Sequence, residues 1–169
     1  FTDNATIDSQ ATAGDANVSE DNDLLLRAGV GNISFNGNIG NGDNAGDFNA
    51  QLGTLTIEDT TGSVTFGGAD TVTGDLGPVT AVRTNGAINI GAGTDETVAA
   101  TDVVEGGIFL NGGDTRADTT LVFSTSGDDI RINGAVELQG GVTFTTSSND
   151  STGANTQSLG GDILFTDNA

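Results

Sequence analysis

The chain has no cysteine, histidine, lysine, methionine, tryptophan or tyrosine, and its basic side chains are only Arg27, Arg83, Arg116 and Arg131. Each absence removes a class of chemistry. Without His or Cys there is no Ser-His or Cys-His nucleophile pair, no imidazole or thiolate zinc centre and no proton switch near neutral pH. Without Lys there is no Schiff base, no P-loop and no Lys-Asn or Lys-Asp isopeptide staple. The missing cysteines exclude disulfides, which by itself does not assign a redox compartment. Proline occurs once, at Pro78, and no apolar run approaches the roughly 20 residues that a membrane-spanning helix needs.

What is present is acid, glycine and short apolar phrases. There are 24 acidic residues against four basic ones, a formal net charge of −20. Such a field repels phosphate backbones and anionic lipid, so nucleic acid and membrane insertion are not expected. It also keeps a long exposed polymer soluble, at the expense of self-repulsion that cations must screen. High Gly, Asn, Asp, Ser and Thr can accompany disorder, but here Val, Ile, Leu and Phe are gathered into alternating phrases divided by turn residues, which is the signature of strands.

One phrase, Gly-x-Ile/Val-x-Phe/Ile/Leu, recurs along the chain. It is read at Gly31-Asn32-Ile33-Ser34-Phe35-Asn36-Gly37 and Gly62-Ser63-Val64-Thr65-Phe66-Gly67-Gly68. Further copies are Gly86-Ala87-Ile88-Asn89-Ile90, Gly107-Ile108-Phe109-Leu110, Asp129-Ile130-Arg131-Ile132-Asn133-Gly134, Gly141-Val142-Thr143-Phe144 and Gly161-Asp162-Ile163-Leu164-Phe165. A companion apolar strand precedes four of them by nine residues: Leu24 before Ile33, Leu55 before Val64, Val79 before Ile88 and Leu121 before Ile130. The companion strands begin at 24, 55, 79, 98 and 121, close to the roughly 20–29-residue period of solenoid coils. One apolar face per strand is too narrow for a repeat to bury alone, so the repeats must stack.

The expected architecture is all-β: a parallel β-helix, or β-solenoid, with protruding loops. Ile33, Val64, Ile88, Ile108, Ile130 and Ile163 would form one internal column, and Phe35, Phe66, Ile90, Leu110, Ile132 and Phe165 a second. A sandwich built from hairpins is the competing all-β reading, since Asn36-Gly37 and Asn133-Gly134 are hairpin signals. Polar insertions at 38–52, 91–102 and 147–159 read as protruding loops. No linker divides residues 1–169, so a single domain is expected. Phe1-Thr2-Asp3-Asn4-Ala5 returns as Phe165-Thr166-Asp167-Asn168-Ala169, as if the segment were one period of a longer tandem array.

The phrases from Leu24 to Gly37, from Leu55 to Gly68 and from Leu121 to Val136 resemble the β-strand repeats of filamentous-haemagglutinin-type proteins, the giant bacterial adhesins and autotransporter-like passengers. The likeness spans about residues 24–165 and does not extend to the secretion domain that such proteins carry at the N terminus. It implies a right-handed β-helical shaft, secreted and displayed on a bacterial cell surface.

The residues offer little for catalysis. Asp128-Asp129 and Asp95-Glu96 are the only carboxylate pairs worth weighing for glycoside hydrolysis. Neighbours on a strand point to opposite faces, and the Trp and Tyr of sugar platforms are missing, so no catalytic residues are assigned and no enzyme is expected. Calcium is the one cofactor invited, weakly, with Asp128, Asp129, Asn149 and Asp150 as candidate oxygen ligands in turns; solvated turn carboxylates are the plainer account. The function expected is structural: a repeat module of a secreted, cell-surface fibre, forming a shaft, sheath or stalk, whose partners are neighbouring copies stacked end to end. The alternatives are an adhesive module that recognises a glycan or host protein through its long loops, and a carbohydrate-active enzyme.

Overall fold

The computed structural model describes residues 7, 22–40, 52–67, 81–92, 102–112, 120–146, 160–166 and 169. Among these residues the regular elements are strands: β1 (Leu24–Leu26), β2 (Ile33–Phe35), β3 (Leu55–Glu58), β4 (Val64–Phe66), β5 (Ala81–Thr84), β6 (Ile88–Ala92), β7 (Val104–Gly112), β8 (Thr120–Thr125), β9 (Ile130–Ile132), β10 (Gly134–Thr145) and β11 (Ile163–Phe165). Their pairings are all parallel. A hairpin sandwich is thereby excluded for this region, because hairpins pair antiparallel. The hairpin signal at Asn133-Gly134 serves a different end: Gly134, at φ 152°, passes the chain from β9 in one sheet to β10 in the other.

The strands form two sheets, β1-β3-β6-β9-β11 and β2-β4-β7-β10-β8-β5. This corrects the expected right-handed β-helix with protruding loops. That reading laid each phrase strand on the preceding phrase strand and each companion on a companion, in one repeating coil. Instead, the phrase strands divide between the sheets, and companion Leu55 pairs with phrase residue Ile88. The second sheet curls like a half-barrel through the long strand β10, whose residues Gly134–Gly140 pair with β7 and whose residues Gly141–Thr145 pair with β8. Gly140, at φ 82°, stands at the change of partner, in a conformation that L side chains rarely adopt. The physical reason for the difference is that unequal connections shift each strand's partner, while a parallel ladder accepts any strand with the right alternation.

The two expected columns are accordingly split. Ile33, Val64 and Ile108 are in register in the six-stranded sheet, as are Phe35, Phe66 and Leu110. Ile88, Ile130 and Ile163 lie instead in the five-stranded sheet with Leu24 and Leu55, and Ile90, Ile132 and Phe165 with Leu26 and Ile57. Between the sheets these rows make one apolar core in which Ile57, Val64, Phe66, Ile88, Ile108, Leu121, Phe123 and Ile130 are fully buried. Each such side chain contributes roughly 1.5–3 kcal/mol by leaving water.

Four phenylalanines of the six-stranded sheet form a row that meets the five-stranded sheet at Phe165. Phe35 stacks on Phe66 at 4.9 Å, Phe66 meets Phe123 edge-on at 5.1 Å, Phe123 stacks on Phe144 at 5.1 Å, and Phe144 meets Phe165 edge-on at 5.5 Å. These are the offset and T-shaped geometries that aromatic quadrupoles favour. Two of the expected insertions also end inside the core: Ile39 and Leu52 are buried and bridge to Val82 and Thr84, and Ala92 is buried at the end of β6. The insertion at 147–159 lies outside the described residues.

Candidate assembly interface

A parallel ladder uses each strand's two edges differently, and this molecule repeats one junction many times. The first N–H of the earlier strand donates to the carbonyl just ahead of the later one. Leu24 donates to Thr54 (2.8 Å), Ile33 to Ser63 (2.9 Å), Leu55 to Ala87 (3.1 Å), Ile88 to Asp129 (3.0 Å) and Ile130 to Asp162 (2.8 Å). At the far end of the strand the bond runs back, from Gly67 N–H to the Phe35 carbonyl at 2.8 Å and from Asn133 N–H to the Ile90 carbonyl at 2.9 Å. Every junction therefore has a direction.

At four junctions a side chain completes the pattern. An Asp or Asn one residue ahead of a paired position accepts, through Oδ1, the backbone N–H one residue ahead of the next paired position. Asp23 accepts from Thr54 (2.7 Å), Asn32 from Ser63 (2.9 Å), Asn38 from Ala81 (3.2 Å) and Asp129 from Asp162 (2.7 Å). Each bond satisfies a donor that the ladder itself leaves over. Asp162 occupies the same position ahead of β11, at the exposed end of the series.

That end is open among the described residues. β11 pairs on one side only, with β9. Its three side chains are 43%, 48% and 44% exposed for Ile163, Leu164 and Phe165, although the rows they continue are fully buried one strand earlier, at Ile130 and Ile132. Beside them each half of β10 has a single partner strand, and Leu138 is 57% exposed. At the opposite end β1 pairs only with β3, and Leu24, Leu25 and Leu26 are half-buried. Exposed apolar side chains beside unpaired backbone donors and acceptors are a template for a further strand.

The other candidate positions are occupied differently. Asp129, one of the four suggested calcium ligands, gives one carboxylate oxygen to the Asp162 N–H and the other to the Arg131 guanidinium. The Asp128 carbonyl accepts the Thr125 hydroxyl. No group of three or more acidic side chains fit to hold a metal is found among the described residues, and Asn149 and Asp150 lie outside them. Arg131 is half-exposed on the face opposite Ile130 and Ile132 and also reaches Asn89 Oδ1 at 3.3 Å. Arg27 Nε pairs at 2.7 Å with Glu58, whose carboxylate is buried, and so clips β1 to β3.

The sequence reading missed the row of Asp and Asn caps. The signal was there, as an Asx immediately ahead of an apolar phrase at Asp23, Asn32, Asn38 and Asp129. Its meaning depends on partners 31, 31, 43 and 33 residues away. Compared with protein-family models, curated proteins and solved structures, the chain matches none.

Proposed function

We propose that this chain is a structural segment of an extracellular, bacterial cell-surface fibre in which copies or repeats continue one another end to end. The observation that carries the reading is the open end formed by β10 and β11, where Leu138, Ile163, Leu164 and Phe165 expose apolar surface beside unpaired strand edge. Proteins that work as monomers protect such edges with charge, proline or a covering element. The composition supports the same reading: a net charge of −20 keeps a long polymer soluble, and the apolar repeats resemble those of secreted surface shafts. Its work is mechanical, and the fibre's load passes through parallel ladders and the aromatic row.

Negative-stain electron microscopy of the purified chain over a range of concentrations tests this. Filaments of uniform width that lengthen with concentration are expected; monodisperse particles at every concentration would refute the reading. Removing residues 147–159 should leave the filaments intact, because the open edge on which this reading rests is formed by β10 and β11.

A further inference from the structure

The open edge of β11 is specific enough to name what covers it. We propose that β11 of one copy pairs in parallel with β1 of a second copy, Ile163 opposite Leu24, Leu164 opposite Leu25 and Phe165 opposite Leu26, with Asp162 Oδ1 accepting the Asp23 N–H. The inference rests on the fibre reading and assigns its seam.

Three observations select β1. First, β1 and β11 are the two ends of one sheet, and every strand between them places an aliphatic residue on the core face at both the first and the third paired position: Leu55 and Ile57, Ile88 and Ile90, Ile130 and Ile132. Setting Leu24 and Leu26 over Ile163 and Phe165 extends both rows without a break and adds Leu25 beside Leu164 on the other face. Second, the backbone junction is directional. Five times an N–H that opens a strand donates to the carbonyl ahead of the next strand, so Ile163 N–H calls for a carbonyl at the position that Asp23 holds ahead of β1. Third, the Asx cap has the same direction. Asp162 stands ahead of β11 as Asp23, Asn32 and Asp129 stand ahead of β1, β2 and β9, and each of those three caps the N–H one residue ahead of the strand with which its own strand pairs, β3, β4 and β11.

Two β11 edges cannot satisfy this pattern together. A parallel edge pairs with the opposite kind of edge, which makes the contact heterologous and, when its rotation does not close, open-ended. One such seam leaves β1 free on the first copy and β11 free on the second, and the filament grows.

The chain contains no native cysteine, which makes the seam addressable by crosslinking. Leu25→Cys and Leu164→Cys place thiols on the same sheet face of the two edge strands, where in-register neighbours fall within disulfide or short-linker reach. The two single variants, mixed at filament-forming concentration and treated with a short bismaleimide, are expected to give a Leu25→Cys to Leu164→Cys product by mass spectrometry, with little product from either variant alone. Asp162→Ala should raise the concentration needed for assembly several-fold, and Asp162→Asn, which keeps the Oδ1 acceptor, should restore it. Filaments without the mixed product would overturn the seam and leave the fibre reading standing. A dominant Leu164→Cys homodimer would overturn it in favour of antiparallel edge pairing. Absence of both filaments and product would overturn seam and fibre together.

Discussion

A tight constraint among the described residues is a column of glycines at one corner. A β-carbon on Gly62 would lie 2.1 Å from the Gly31 carbonyl oxygen, and one on Gly106 would lie 2.5 Å from the Gly62 carbonyl carbon. Both obstacles are backbone, so no side chain can swing aside. Gly62→Ala is therefore expected to cost about 1–3 kcal/mol, the usual range for overpacking, seen as a lower urea midpoint with an unchanged slope. Gly29→Ala meets no atom within 4 Å but sits at φ 59°, so its cost comes from backbone strain and should be smaller. At this scale the sequence shows glycine ahead of the phrase at Gly31 and Gly62 and suggests a turn. It does not show that the reason for Gly62 is another chain segment pressed against it, because the neighbour sits a whole loop away.

Strands are held by what crosses between them, and the aromatic row is one such crossing. Phe123 is fully buried and touches Phe66 on one side and Phe144 on the other, while Phe165 is 44% exposed at the end of the row. Phe123→Ala should destabilise by about 3–5 kcal/mol, as large cavities in cores do, and Phe165→Ala by clearly less. Equilibrium denaturation followed by far-ultraviolet circular dichroism ranks the two, and equal losses would contradict the burial described here. Strand existence was legible at this scale. Ile33–Phe35, Val64–Phe66, Ile88–Ile90 and Ile130–Ile132 alternate as half-buried strands must. Strand extent was less so: Gly106, Gly107, Gly140 and Gly141 look like turn residues, yet β7 and β10 continue past them, with Gly107 and Gly140 at positive φ.

For the whole molecule the governing quantity is charge. A net −20 on 169 residues is a self-repulsion that the core must exceed, and stacking copies end to end adds to it. Raising sodium chloride from about 10 mM to about 150 mM shortens the Debye length from about 30 Å to about 8 Å. The midpoint of thermal unfolding should rise over that range, and filaments should form at lower protein concentration, as read by differential scanning fluorimetry and light scattering. A midpoint that falls with salt would mean that Arg27–Glu58 and Arg131–Asp129 outweigh the repulsion, which two ion pairs against a net charge of −20 are not expected to do.

The sequence alone determined that the chain is built of β-strands, that each strand has one apolar face, and that the surface is acidic without cysteine or lysine chemistry, because alternation and composition are local properties of the chain. Only the tertiary structure decided which sheet each strand joins, that Leu55 pairs with Ile88, that β10 serves two neighbours, and which edges remain open. Parallel pairing is made by backbone groups that do not distinguish one aliphatic strand from another. The choice of neighbour therefore falls to loop length and to the packing of Phe35, Phe66, Phe123, Phe144 and Phe165, both of which act across the fold and not along the chain.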